Sequence, residues 1–129
     1  MMSHFGNVPA ETLIDAVEKH VAKMDEAELS SLLATGVASM PLQARHALVS
    51  SIFDAFRERG ESSEDAAEGA STALADLENG DEPALRALLR YAQENTGVLK
   101  EAMAVFAEEH PTELNALPSS FVEAVAARL

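Results

Sequence analysis

A run of carboxylates between Gly60 and Leu85 is the part of this chain with the clearest capacity for chemistry. The run contains no Lys or Arg, and it supplies most of the formal net charge of -13. Its acidic residues are Glu61, Glu64, Asp65, Glu68, Asp76, Glu78, Asp81 and Glu82. Because binding to a phosphate backbone needs clustered Lys and Arg, this charge distribution argues against direct nucleic-acid binding.

An acidic surface without compensating cations favours a basic protein as the partner, since complementary charge steers the encounter and raises the association rate. We therefore predict a non-catalytic protein-interaction module. The predicted partner-binding residues are Glu61, Glu64, Asp65, Glu68, Asp76 and Glu78. A narrower hypothesis is nucleic-acid mimicry, in which carboxylates take the place of phosphates. The alternative interpretation is a solvated face that keeps the protein in solution.

Histidines supply the runner-up hypothesis, a helical metal-binding protein or metalloenzyme. His20, His46 and His110 fall in separate predicted helices and could join nearby carboxylates at one metal, whereas His4 lies near the N-terminus. However, the chain has neither an HExxH motif nor the Glu-x-x-His pair of carboxylate-bridged metal bundles. It also lacks a phosphate-binding Gly-rich loop and a GxSxG motif. We therefore assign no catalytic, metal or cofactor residues and expect no enzyme activity.

Two arginines, Arg86 and Arg90, have the look of a phosphate-binding pair, but their surroundings favour another role. Glu82, Arg86, Arg90 and Glu94 follow one another at intervals of four residues. Charges at this spacing are neighbours on a helix surface, and each pair contributes about 0.2–0.5 kcal/mol. The spacing predicts an ion-pair ladder rather than an anion site.

Apolar residues recur at helical spacing throughout the chain, and no segment alternates as a half-buried strand does. The sequence also predicts N-terminal helix caps within this pattern. They are Asp25 with Glu28, Ser62 with Asp65, and Asp81. One helix is expected to carry the stripe from Ala66 to Leu77, with Gly69 in its middle. The last helix is expected to bury Phe121, Val122, Val125 and Leu129.

The fold class predicted from these features is all-α, a single compact bundle of about seven short amphipathic helices. Stacked helical hairpins are the alternative arrangement of the same helices. Residues 1–8 are expected to form a flexible tail, with Asn7 and Pro9 opening the first helix, and residues 9–129 a single domain. No apolar run approaches the roughly 20 residues of a membrane span. With no cysteine and no basic, apolar N-terminal segment, a cytoplasmic protein without membrane partners is expected.

Self-association is left open by the apolar residues outside the main stripes. Met40, Tyr91, Met103 and Phe5 look exposed in the pattern. Met and aromatic side chains suit adaptable interfaces, and they suit gaps in an alanine-rich core equally well. Both a monomer and a homodimer are therefore compatible with the sequence.

Overall fold

The computed structural model describes residues 8–129 and confirms the all-α class: no strand occurs in that range. Eight α-helices form the described part of the chain. They are α1 Ala10–Ala22, α2 Glu26–Gly36, α3 Leu42–Glu58, α4 Ser63–Gly69, α5 Leu74–Glu78, α6 Glu82–Gln93, α7 Val98–Glu109 and α8 Ser119–Ala126. Two 3-10 turns, Val37–Ser39 and Pro111–Ala116, supplement them. His4, Phe5 and Asn7 lie outside the described residues, so the predictions for them are not addressed by the structure.

The predicted caps determine where several helices begin. The Asp25 carboxylate accepts from the Glu28 N–H at 2.9 Å, and the Glu28 side chain accepts from the Asp25 N–H at 3.4 Å, which completes a capping box. The Asp81 side chain likewise accepts from the Ala84 N–H at 3.0 Å. At α4 the Ser62 hydroxyl accepts from the Asp65 N–H at 3.1 Å. Each cap satisfies a backbone donor that the helix itself leaves unpaired.

The single helix expected between Ser62 and Leu77 is wrong, because the chain breaks it into α4 and α5. Ser71 adopts a left-handed backbone conformation with φ of 58°. The N–H groups of Ser71 and Thr72 then turn back to the carbonyls of Glu68 and Ala67, both at 3.0 Å, in a Schellman closure. The break divides the expected stripe, so that Ala66 belongs to α4 whereas Leu74 and Leu77 belong to α5.

Helices α3 and α7 form the centre of the molecule. The most extensive interhelical contacts join α3 to α7 and α1 to α7, while α2 packs mainly on α6. Three phenylalanines, Phe56, Phe106 and Phe121, are among the largest fully buried side chains. Alanines on α3 and α7 are also buried, so the core is built by close helix approach.

Several residues differ from their expected positions. The side chains of Met40 and Met103 are only 2% and 0% exposed. They therefore fill gaps in the core and do not form an exposed apolar surface. Leu129 is 46% exposed, because α8 ends at Ala126 before it can carry that side chain inward. Val8, placed in the predicted tail, is half-buried against the core. Among the described helices, none has the length and apolarity needed to cross a bilayer.

Candidate functional site

The six predicted partner-binding carboxylates lie along the α4–α5 segment, and together they are called the acidic face. Glu61 precedes α4 and is half-buried, whereas the other five are exposed. Three of these, Glu64, Asp65 and Glu68, belong to α4, and the remaining two, Asp76 and Glu78, belong to α5. Within residues 8–129, the ion pairs join Lys19 to Asp15, Arg45 to Glu82, Arg57 to Asp54 and Arg59 to Glu101. None of those pairs neutralises a carboxylate of the acidic face.

Part of the acidic face converges on an open cleft between α4 and α6. The cleft has a volume of about 590 Å³. Its lining consists of Arg59, Gly60, Glu61, Asp65, Glu68, Gly69 and Tyr91. The one cation of this lining, Arg59, already pairs with Glu101 at 3.6 Å. This acidic cleft therefore presents carboxylates to solvent and suits an ammonium or guanidinium group from outside.

Tyr91 fixes the position of α4 beside this cleft. Its hydroxyl donates to Oε2 of Glu61 at 2.6 Å, and its ring stacks on Phe56 with centroids 5.3 Å apart. Gly69 makes that approach possible, since a Cβ there would lie only 2.6 Å from Cε1 and 2.7 Å from the hydroxyl oxygen of Tyr91. A short, thinly packed helix is in this way held in a defined position.

The remaining members of the acidic face lie away from this cleft. Glu78 lines a separate cavity between α3 and α5. Glu64 and Asp76 are exposed and line neither space. The structure therefore brings Glu61, Asp65 and Glu68 to one cleft, and it distributes the other three over the surrounding surface of α4 and α5.

The last two carboxylates of the acidic run serve the fold. Asp81 caps α6, as predicted. Glu82 pairs with Arg45 of α3 at 3.3 Å, and the Arg86 Nε–H donates to the Ala34 carbonyl at 3.3 Å. The predicted ion-pair ladder along α6 is therefore wrong, because tertiary partners compete successfully with weak contacts between neighbouring turns.

The histidines do not assemble into the metal centre of the runner-up hypothesis. Within residues 8–129, no three His, Asp or Glu side chains are grouped so that they could hold a metal ion. His20 meets the edge of Phe121 at 5.3 Å, and His110 lies against Phe106 at 5.9 Å. Burial, aided by the charges of Arg128 and Lys23, lowers the pKa of His20 below its ordinary 6.5. Both rings therefore contribute to packing.

The hydrogen bond to Glu61 predicts an unusual titration for Tyr91. Together with burial and nearby carboxylates, it raises the pKa of Tyr91 from 10.0 to about 12. Because Tyr91 is the single tyrosine and Trp is absent, ultraviolet absorbance of tyrosinate reports this group alone. Glu61→Gln is expected to move the pKa back toward 10.0, and an unchanged value would contradict the role of the carboxylate.

The same shift has a consequence for stability. A proton held more tightly in the folded state than in the unfolded state stabilises the fold at pH values below the unfolded pKa. That contribution is therefore present below pH 10.0 and is lost as the pH rises through about 12. Glu61→Gln is expected to flatten the decline in stability across this alkaline window.

Tyr91 and Gly69 are the residues of the site that sequence reasoning missed. The sequence pattern places Tyr91 among the apolar residues outside the main stripes, and it places Gly69 only in the middle of a predicted helix. The available signals are the single tyrosine of the chain and a glycine inside a helical segment, yet nothing in the sequence connects them. Comparisons with protein-family models, with curated proteins and with solved structures each found no match to this chain.

Proposed function

We propose that this protein is a non-catalytic interaction module whose acidic face binds a basic protein. The observation that carries the proposal is the placement of its six carboxylates, five of them exposed and none in an ion pair within the described residues. Elsewhere Asp15, Asp54, Glu82 and Glu101 each have a basic partner inside the molecule. The acidic face lacks such partners and is free to take them from another protein.

Electrostatics explains what such a surface contributes to binding. At physiological ionic strength the field of an exposed charge is screened over about 8 Å, so neighbouring carboxylates act together on an approaching cation. Their main effects are a higher association rate and the rejection of acidic competitors. Each exposed ion pair adds about 0.2–1 kcal/mol, so a useful affinity needs several of them at once.

Preorganisation is the second support for the proposal. A partner that binds the acidic cleft meets carboxylates whose helix is already held by the contact of Gly69 with Tyr91 and the hydrogen bond to Glu61. Binding to a fixed surface avoids part of the entropy cost of ordering side chains and loops. The cleft also offers the half-buried Tyr91 ring beside the carboxylates, which suits the alkyl stem of a lysine or arginine.

Affinity capture from a lysate of the cells that make the protein tests the proposal. The face variant combines Glu64→Gln, Asp65→Asn and Glu68→Gln. A control variant combines Glu11→Gln, Glu18→Gln and Glu123→Gln, which are exposed positions on α1 and α8. Both variants remove three negative charges, so any difference between them reports the location of the charge.

We expect a basic protein to be captured at low salt by the wild type and by the control variant. The face variant should lose it, and high salt should release it. Capture that persists unchanged in the face variant or at high salt would remove the acidic face from the account. Circular dichroism of each variant establishes that the helices are intact.

Nucleic-acid mimicry is the narrower form of the proposal, and it makes a separate expectation. If the carboxylates take the place of phosphates, the captured protein binds DNA or RNA through the same surface. Added nucleic acid should then displace it from the acidic face in proportion to concentration. A ternary complex of this protein, the captured protein and the nucleic acid would restrict the proposal to general binding of a basic protein.

A further inference from the structure

A cavity of about 290 Å³ lies between α3 and the α4–α5 segment, and it shares no lining residue with the acidic cleft. Its floor is apolar and consists of Val49, Phe53 and Leu77. Its rim is polar and carries His46, Ser50, Arg57, Ser63 and Glu78. An apolar floor with a few polar groups at the edge is the usual composition of a small-ligand site, and the volume is at the small end of the range for such sites.

The polar groups of the rim are separated along α3. Arg57 and Ser63 are adjacent, since one terminal nitrogen of Arg57 donates to the Ser63 hydroxyl at 3.4 Å. His46 lies three turns earlier on α3, roughly 16 Å away along the helix axis. A Cβ at Gly80 would be 3.2 Å from the His46 ring, so the end of α5 that carries Glu78 is close to His46. The rim therefore has Arg57, paired with Asp54, at one end and His46 with Glu78 at the other.

Arg57 has N–H donors left for a ligand at its end of the rim, although its charge is paired with Asp54. Its other terminal nitrogen pairs with Asp54, which holds the guanidinium in place. An arginine has five N–H donors, and the Asp54 and Ser63 contacts do not use all of them. A carboxylate is the planar, bidentate acceptor that best fits the N–H donors left on the Arg57 guanidinium.

We propose that this α3–α5 cavity binds a small organic acid with an apolar body. The carboxylate of the ligand contacts Arg57 and the Ser63 hydroxyl, while its hydrocarbon part covers Phe53, Val49 and Leu77. The cavity shares Glu78 with the acidic face but no residue with the acidic cleft. Ligand binding to it is measured without a protein partner, so this proposal fails separately from the binding of a basic protein.

Hexanoate, hexanol and hexylamine are the probes that test the charge preference of the cavity, because they share one hydrocarbon chain and differ in head group. Amide NMR shifts of isotope-labelled protein locate the binding. Hexanoate is expected to shift Ser50, Phe53, Ser63 and Leu77 in a saturable way, with a Kd on the order of 1 mM for so small a ligand. Hexanol and hexylamine should bind about tenfold more weakly.

Matched variants establish which residues are responsible. Arg57→Gln should weaken hexanoate binding about fivefold or more, since a charge-assisted contact is lost. Arg90→Gln, at an exposed position on α6, should leave it unchanged, and Ser50→Leu should abolish it by filling the cavity. The proposal is overturned by an absence of saturable shifts, by equal or tighter binding of hexanol or hexylamine, or by equal losses in the two arginine variants.

Discussion

Replacing Phe56 by alanine is expected to lower the free energy of unfolding by about 3–5 kcal/mol. Phe56 is 1% exposed on α3, at the centre of the molecule, and its ring stacks on Tyr91. The loss combines the transfer energy of the ring with the cavity left behind, which a closely packed, alanine-rich core cannot readily close. Urea unfolding followed by circular dichroism measures the change.

Phe56→Leu is the matched control for this prediction. It keeps most of the apolar volume, so its cost should be well below that of the alanine variant. The pKa of Tyr91 should fall in the alanine variant, because the ring loses its support and the hydrogen bond to Glu61 loosens. A loss below about 1 kcal/mol for Phe56→Ala would contradict a core role for this ring.

Gly69→Ala is expected to destabilise the protein, although helix propensity alone predicts a gain of up to about 1 kcal/mol. The added Cβ would lie 2.6 Å from Cε1 of Tyr91, and that ring cannot move aside without giving up its stacking on Phe56 and its hydrogen bond to Glu61. Overpacking of this kind costs about 1–3 kcal/mol, which exceeds the propensity gain.

A double-mutant cycle with Tyr91→Ala separates the two effects at Gly69. In that background the clash is absent, so Gly69→Ala should be neutral or stabilising. The sign of the glycine substitution is therefore expected to change with residue 91. Stabilisation by Gly69→Ala in the wild-type background would show that α4 is not held against Tyr91 as described.

Local signals in the sequence predicted the fold well. Asp25 with Glu28 and Asp81 act as caps because the groups that satisfy them lie three residues away. The apolar stripe of α6, which includes Leu85, Leu88 and Leu89, is fully buried because helical spacing alone places these residues on one face. The exposure of five of the six acidic-face residues follows equally from the cost of burying an unpaired charge.

Features that depend on distant partners were not predictable in the same way. Glu82 pairs with Arg45 rather than Arg86, and no pattern along α6 indicates that choice. The break at Ser71 places a non-glycine residue in a left-handed conformation, which sequence alone would assign to a glycine. The contact between Gly69 and Tyr91 joins two helices, so neither residue shows its role in its own segment.

The most direct measurement is a titration with a lysine-rich peptide that lacks aromatic residues, followed by the fluorescence of Tyr91 in the acidic cleft. The face variant should bind about tenfold more weakly than the wild type, since three exposed pairs at about 0.5 kcal/mol each are lost. The control variant on α1 and α8 should stay within about twofold, and added salt should weaken wild-type binding. Equal losses in the two variants would show that net charge alone governs binding, and the acidic face would then not be the binding surface.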